Sequence, residues 1–256
     1  MKGAYVVYRK ELYRFFGSPI FYVVAFIFLT LVGYFFYSSV AYYSELSFQA
    51  GRNPFISQNL NLTDMVLEPF FGSITIILLL MVPLITMRLF AEEKKTGTVE
   101  LLFTYPISDR GAVLGKFGAG ISVMVLLLVS TLPAMLLLQV FASPPWLTIM
   151  GGYLGLFLMS GAFVSLGLLA SSLTQNQIIA AAMSFGALLL LWIIGWAESF
   201  VGPTLGKFFE YISLLTHFDN FAKGILDSQD VLYYLLFIIL ALFITLRILE
   251  SRQWRG

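Results

Sequence analysis

Residues 88–116 read RLFAEEKKTGTVELLFTYPISDRGAVLGK, the densest charged segment of the chain. It lies between two apolar runs, Pro69–Met87 and a charge-free stretch that begins at Phe117. Charge between apolar runs is ordinarily a water-filled loop, but this segment carries helical order, a charge pattern and a proline stop. Leu89 and Phe90 continue the preceding run past Arg88, and Glu92, Glu93, Lys94 and Lys95 are expected to lift the chain into water. Gly97 reads as a helix stop or tight turn. Thr96 or Thr98 can cap a new short helix, with Glu100 suited to its positive end. Val99, Leu101, Leu102 and Phe103 give that helix an apolar side, and Pro106 ends it. Ser108 is a cap for the following helix, with Asp109 in its first turn. A short rigid helix held between two spans can carry force between a cytoplasmic partner and the membrane. The alternative is a solvated hairpin whose charges only set topology, and the residues alone leave both open.

Outward from this segment the chain is apolar. Hydrophobic residues make up 59% and charged residues 11%, against roughly 25% charge in soluble domains. Mean hydropathy is +0.88. This is the composition of an integral membrane protein. Of 256 residues, nearly all are needed to cross a bilayer, so the expectation is one transmembrane domain over 1–256 and no separate soluble enzyme domain. With no cysteine, disulfides, thiolate metal sites and cysteine nucleophiles are excluded. The start, MKGAYVVYRKELYRFFGSP, lacks the pattern of a cleavable signal, and the first apolar run is expected to be a retained anchor.

About 20 apolar residues make a membrane-crossing helix. Pro19–Val40 and Pro69–Met87 are two such runs. The charge-free stretch Phe117–Ala197 breaks at Ser143-Pro144-Pro145 and at Ser171–Gln177, which gives spans near 117–140, 147–170 and 177–197. Val231–Leu246 is the sixth, extended past Arg247 by snorkelling. The predicted fold class is all-α: a polytopic membrane protein with six transmembrane helices, an N-terminal interfacial helix and, in the helical reading of 88–116, a short cytoplasmic helix. Twelve of the fifteen Lys and Arg residues fall in three regions: the N-terminal segment, residues 88–116 and the C-terminal tail. These alternate correctly for one side of a six-span protein, so both termini and the 88–116 segment are expected in the cytoplasm.

In residues 1–18, Tyr5, Tyr8, Leu12, Phe15 and Phe16 recur at helical spacing around Arg9, Lys10 and Arg14. That pattern predicts a helix lying in the interface and ended by Gly17-Ser18-Pro19; the alternative is an extension of the first span. Gly111–Phe117, GAVLGKF, is one residue short between its glycines for a phosphate-binding loop and lacks the hydroxyl. Its glycines are expected to let helices approach. Gly151 and Gly155 form a G-x-x-x-G pair for packing within the subunit or between subunits. Residues 198–230 are too apolar for a free loop. They are expected to turn back into the outer leaflet, with flat interfacial helices as the alternative. His217 is expected outside the core, beside Asp219, as a structural residue and not a metal ligand; no metal site is predicted. An ion-driven carrier needs ionisable side chains at membrane depth, and the spans are bare of them.

Glu92-Glu93, then Gly97-Thr98-Val99-Glu100-Leu101-Leu102, then Pro106 and Lys116, resemble the first cytoplasmic loop of ABC-2 type transporter permeases. That family reads E-E-x-x-x-G-T-x-E-x-L, followed by a proline and a lysine at the start of the third span. The resemblance covers the whole chain, including the segment Ser213–Asp227, and within the family it is nearest to the gliding-motility-associated permeases and their copper-maturation relatives. It implies a half-transporter that pairs with a separate ABC ATPase subunit, so that the chain is not itself an enzyme and has no catalytic residue. Residues 88–116 would seat a coupling helix in a cleft of that ATPase. Glu92, Glu93, Gly97, Thr98, Glu100, Leu101 and Leu102 are carried over as contact or positioning candidates, and Pro106 and Lys116 as structural residues. ATP and Mg would belong to the ATPase, with no cofactor on this chain. A second copy or a related permease would complete the translocation path, in what is expected to be a bacterial inner membrane. A further membrane or extracytoplasmic protein is a candidate partner, and nucleic acid is not. The alternative function is a force-transmitting scaffold in gliding, secretion or copper-related maturation that carries no solute; an ion-coupled secondary carrier ranks below both.

Overall fold

The computed structural model describes residues 2–51, 60–97, 108–196 and 203–253. All secondary structure among the described residues is helical. Helix α1 is Lys2–Phe16 and α2 is Pro19–Ala50. A π-helical turn, Thr63–Leu67, leads into α3, Glu68–Thr86, which is followed by α4, Arg88–Lys95. Helices α5, Asp109–Val129, and α6, Leu132–Phe141, are halves of one kinked span. Helix α7 is Trp146–Leu173 and α8 is Gln177–Ile193. Two short helices, α9 (Pro203–Ile212) and α10 (Leu214–Ala222), precede α11, Ser228–Gln253.

Six helical stretches are long and apolar enough to cross a membrane, as expected, but their bounds differ from the apolar runs. The first continues to Ala50 and the second, through α4, to Lys95. The third begins at Asp109, eight residues before the charge-free stretch, where Ser108 caps the helix by accepting from Gly111 N at 3.2 Å. It kinks at Ser130-Thr131, ahead of Pro133, where the Thr131 hydroxyl meets the Tyr153 hydroxyl at 2.7 Å. Ser171 and Ser172 belong to the last turn of α7 and not to the break, which falls at Thr174–Asn176.

Helix α7 is the hub. It packs against α3, α4, α5, α8, α10 and α11. Its glycines explain how: a Cβ on Gly155 would lie 2.5 Å from Phe221 Cβ of α10, one on Gly152 2.3 Å from the Phe71 ring of α3, and one on Gly167 2.1 Å from Thr86 Oγ1. The Gly151/Gly155 pair therefore packs within the subunit, on α10. The outer helices α2, α8 and α11 leave most of their side chains unburied along their apolar windows, as surfaces facing lipid do.

His217 pairs with Asp230 and not with Asp219, beside which it was expected. It is buried, with Nδ1 2.6 Å from Asp230 Oδ1 of α11, Nε2 3.3 Å from the Tyr211 carbonyl and its ring stacked on Tyr233 at 3.9 Å. Asn220 Nδ2 donates to the other Asp230 oxygen at 2.8 Å. The cluster ties α10 to α11. At the end of α10, Gly224 takes φ +81°, open to glycine at no steric cost, and a Cβ there would meet Thr148 Oγ1 at 2.6 Å.

Candidate coupling site

The second span does not run straight into the charged segment. Pro83 interrupts α3, and the helix breaks at Met87 before α4 begins. A new helix leaves its first amides without intrahelical partners, and Met87 supplies no side-chain cap. Ser171 of α7 does so from outside: its hydroxyl accepts from Phe90 N and Ala91 N, both at 3.0 Å, and donates to the Met87 carbonyl at 2.9 Å. Lys94, one turn on, donates to the Ser172 carbonyl at the end of α7. A lysine there suits both the unsatisfied carbonyls and the negative helix end. Both contacts pin α4 to α7.

The other side of α4 meets α1 and α5 in a buried ion-pair cluster. Lys116 is fully buried. Its ammonium lies 2.6 Å from Glu11 Oε1, 2.9 Å from Glu93 Oε2 and 2.5 Å from the Leu89 carbonyl, with the Phe90 ring 5.1 Å away. The contacts to Glu11 and to the Leu89 carbonyl are hydrogen bonds, and the contact to Glu93 is an ion pair. Lys10 reaches the other Glu93 oxygen at 2.9 Å from a half-exposed position, so two lysines balance two glutamates. Arg14 closes the rim on Glu92 at 2.5 Å. Burying charge is tolerable only when it is paired and hydrogen-bonded in this way. The approach of α1 to α5 rests on glycine. A Cβ on Gly115 would lie 2.6 Å from the Ala4 carbonyl, and Gly111 sits against Ala4 N. The glycines of the near-miss phosphate motif thus serve close helix packing.

The structure places the candidate residues unevenly. Glu93 does not lift the chain into water: it is 3% exposed and points into the cluster, and Lys94 is buried too. Glu92 stays on the rim. Lys116 sits inside α5 and not in a loop. Gly97 ends α4 with φ +70°. Thr96 closes α4 instead of opening a new helix, its hydroxyl donating to the Glu92 carbonyl at 2.9 Å. Thr98, Glu100, Leu101, Leu102 and Pro106 lie outside the described residues. Sequence reasoning missed Glu11, the sole acid among the N-terminal cations. It lies one helical turn after buried Val7, and that shared face was the available signal. It also took Ser171 and Ser172 for a break when they are partners of α4.

One end of the bundle therefore gathers α1, α4, the start of α5, the end of α7 and the end of α11. Leu89, Phe90, Val113, Leu168 and Leu249 form a small apolar core there. Of these elements, α1, α4, α5 and α11 carry the excess of Lys and Arg. A family model for ABC-2 family transporter proteins matches residues 5–253. The chain belongs to that family. It is thus an integral membrane protein, the permease of an ABC transporter, and membership implies partnership with an ABC ATPase subunit. No individually curated protein matched the chain.

Proposed function

We propose that this ABC-2 permease takes up the stroke of its ATPase subunit through residues 98–107 and passes it to the spans through α4. The observation that carries the reading is the clamp on α4: α1 and α5 hold it by Glu11, Glu93 and Lys116, and α7 holds it by Ser171 and Ser172. A push at the end of α4 then moves three helices together. Glu93 and Lys116 act as positioning groups inside the clamp. Glu92, Gly97, Thr98, Glu100, Leu101 and Leu102 remain the candidates for the ATPase surface, and Pro106 the turn beyond it. ATP and Mg bind on the partner, both termini of the permease face the cytoplasm, and two permease copies flank the path. The segment 198–230 closes that path from outside, with α10 sunk against α7.

The absence of native cysteine makes the test direct. Single cysteines at Thr98, Glu100 and Leu102, treated with a short bifunctional reagent in native membranes, should give an adduct with a co-purifying ATPase, while Ser228→Cys should give none. An ATPase that co-purifies yet forms no adduct at any of the three positions would refute the reading.

One observation favours the alternative in which the stroke moves an external partner and not a solute. Helix α2 has 32 residues, about 48 Å at 1.5 Å per residue. That exceeds a hydrocarbon core of about 30 Å, which leaves length for its Ala50 end to reach past the lipid toward another protein. An extracytoplasmic protein cross-linked at Glu45→Cys, with ATPase activity indifferent to any solute, would select that reading.

A further inference from the structure

A cleft of about 380 Å³ opens between α1, the start of α2, the end of α3 and α4, within the range of small-ligand sites, roughly 300–1,000 Å³. Its floor is apolar: Phe21, Val24 and Ile85 are buried there. Ile20 and Leu84, 47% and 45% exposed, border it on the outer face of their spans and leave it open sideways to the bilayer. Its polar end holds Arg14, Arg88, Ser18, Glu11 and Glu92. Both carboxylates are committed, Glu11 to Lys116 and Glu92 to Arg14. Arg88 is not so matched. Among the described residues its side-chain partner is the Ser18 hydroxyl at 3.3 Å, a neutral group. Ser18 in turn precedes α2 without capping it, so the positive end of a 32-residue helix also faces this corner.

We propose that the cleft is a binding site for an anionic phospholipid, with the phosphodiester on Arg88 at the α2 N-terminus and one acyl chain along Phe21, Val24 and Ile85. The charge argument selects the occupant: a guanidinium without a carboxylate, beside a helix N-terminus, is matched by phosphate, which guanidinium binds in a two-pronged fashion. The apolar floor selects a lipid over a free anion. Because the cleft wall includes α4, the bound lipid would brace the helix that the ATPase is proposed to push. The site itself stands whether or not that coupling reading holds.

The test is native mass spectrometry of the delipidated full-length permease in detergent, together with any subunit that co-purifies. It is offered phosphatidylglycerol, phosphatidylcholine, diacylglycerol or inorganic phosphate. Phosphatidylglycerol should be retained best, and Arg88→Gln should lower its retention about tenfold, the loss expected for one charge-assisted contact. Leu84→Trp, which fills the mouth without touching charge, should lower it too. Arg247→Gln, on a 63% exposed side chain at the other end of the chain, should not. Equal retention of phosphatidylcholine, an equal effect of Arg247→Gln, or binding of inorganic phosphate that matches the lipid would each overturn the proposal. If Arg88→Gln does not fold, the ranking of lipids on the unaltered protein and the Leu84→Trp variant still decide it.

Discussion

The Lys116 ammonium of α5 lies 2.6 Å from the Glu11 carboxylate of α1, and neither side chain is more than 2% exposed. Removing one member of a buried pair strands the other, at about 3–5 kcal/mol, whereas removing both can be nearly neutral. Lys116→Met should therefore lower the thermal midpoint of the detergent-solubilised protein steeply. Glu11→Gln should do the same to a smaller degree, because Glu93 still balances Lys116. The double variant should be less damaged than the sum of the two. Strict additivity in that cycle would show that the pair does not interact.

The packing of α1 on α5 gives a second expectation. Gly115→Ala puts a Cβ 2.6 Å from the Ala4 backbone carbonyl, which cannot rotate away as a side chain could. Overpacking of this kind costs about 1–3 kcal/mol. A Cβ on Gly33 would meet nothing within 4 Å, and Gly33→Ala should be neutral or slightly stabilising, since alanine is the better helix former. Thermal unfolding of both variants side by side is the check, and equal effects would contradict the close approach.

How much of this was legible beforehand follows from what periodicity and charge can report. The six spans were, because long apolar runs between charges leave few other solutions. Their ends were not. Helices persist through charged residues when tertiary partners satisfy them, as α4 does through Glu93 and Lys94 and α5 does ahead of Lys116. The same effect misplaced Glu93. A charge run reads as solvated unless the countercharges are known, and here they come from Lys10 and Lys116, 83 residues before Glu93 and well beyond it in the chain. The partner of His217 was missed for a related reason, since Asp230 lies 13 residues on, in another helix. The Ser108 cap and the Gly97 stop are local features and were readable.

Ser171 supplies a third expectation. Replacing it with alanine removes the acceptor for Phe90 N at a break where the helix offers no substitute, and the second contact of Ala91 N. A buried donor left unpaired costs about 1–3 kcal/mol. The loss should be local: amide exchange at Phe90 should quicken most, while α10 and α11 keep their protection. If α4 is the transmitting element, Ser171→Ala should also lower transport per ATP hydrolysed without releasing the ATPase. Unchanged exchange at both amides would mean that the hydroxyl does not hold them.

The far end of the molecule can be tested through the His217–Asp230 pair, which joins α10 to α11. His217→Phe keeps a ring to stack on Tyr233 but leaves the Asp230 carboxylate, 4% exposed, with only the Asn220 amide among the contacts described for this cluster. A stranded buried carboxylate is the costlier outcome, about 3–5 kcal/mol. Converting that carboxylate to an amide should then recover part of the loss, because a neutral side chain is less costly to bury without its partner. His217→Phe should unfold at a distinctly lower temperature than the parent, and His217→Phe with Asp230→Asn should lie between the two. Exchange across 214–222 should rise in the same order, since α10 is held to α11 by this cluster and by the Tyr234 hydroxyl donating to the Leu214 carbonyl at 2.6 Å. A double variant less stable than His217→Phe alone would show that shape and hydrogen bonding, and not charge, hold the two helices together.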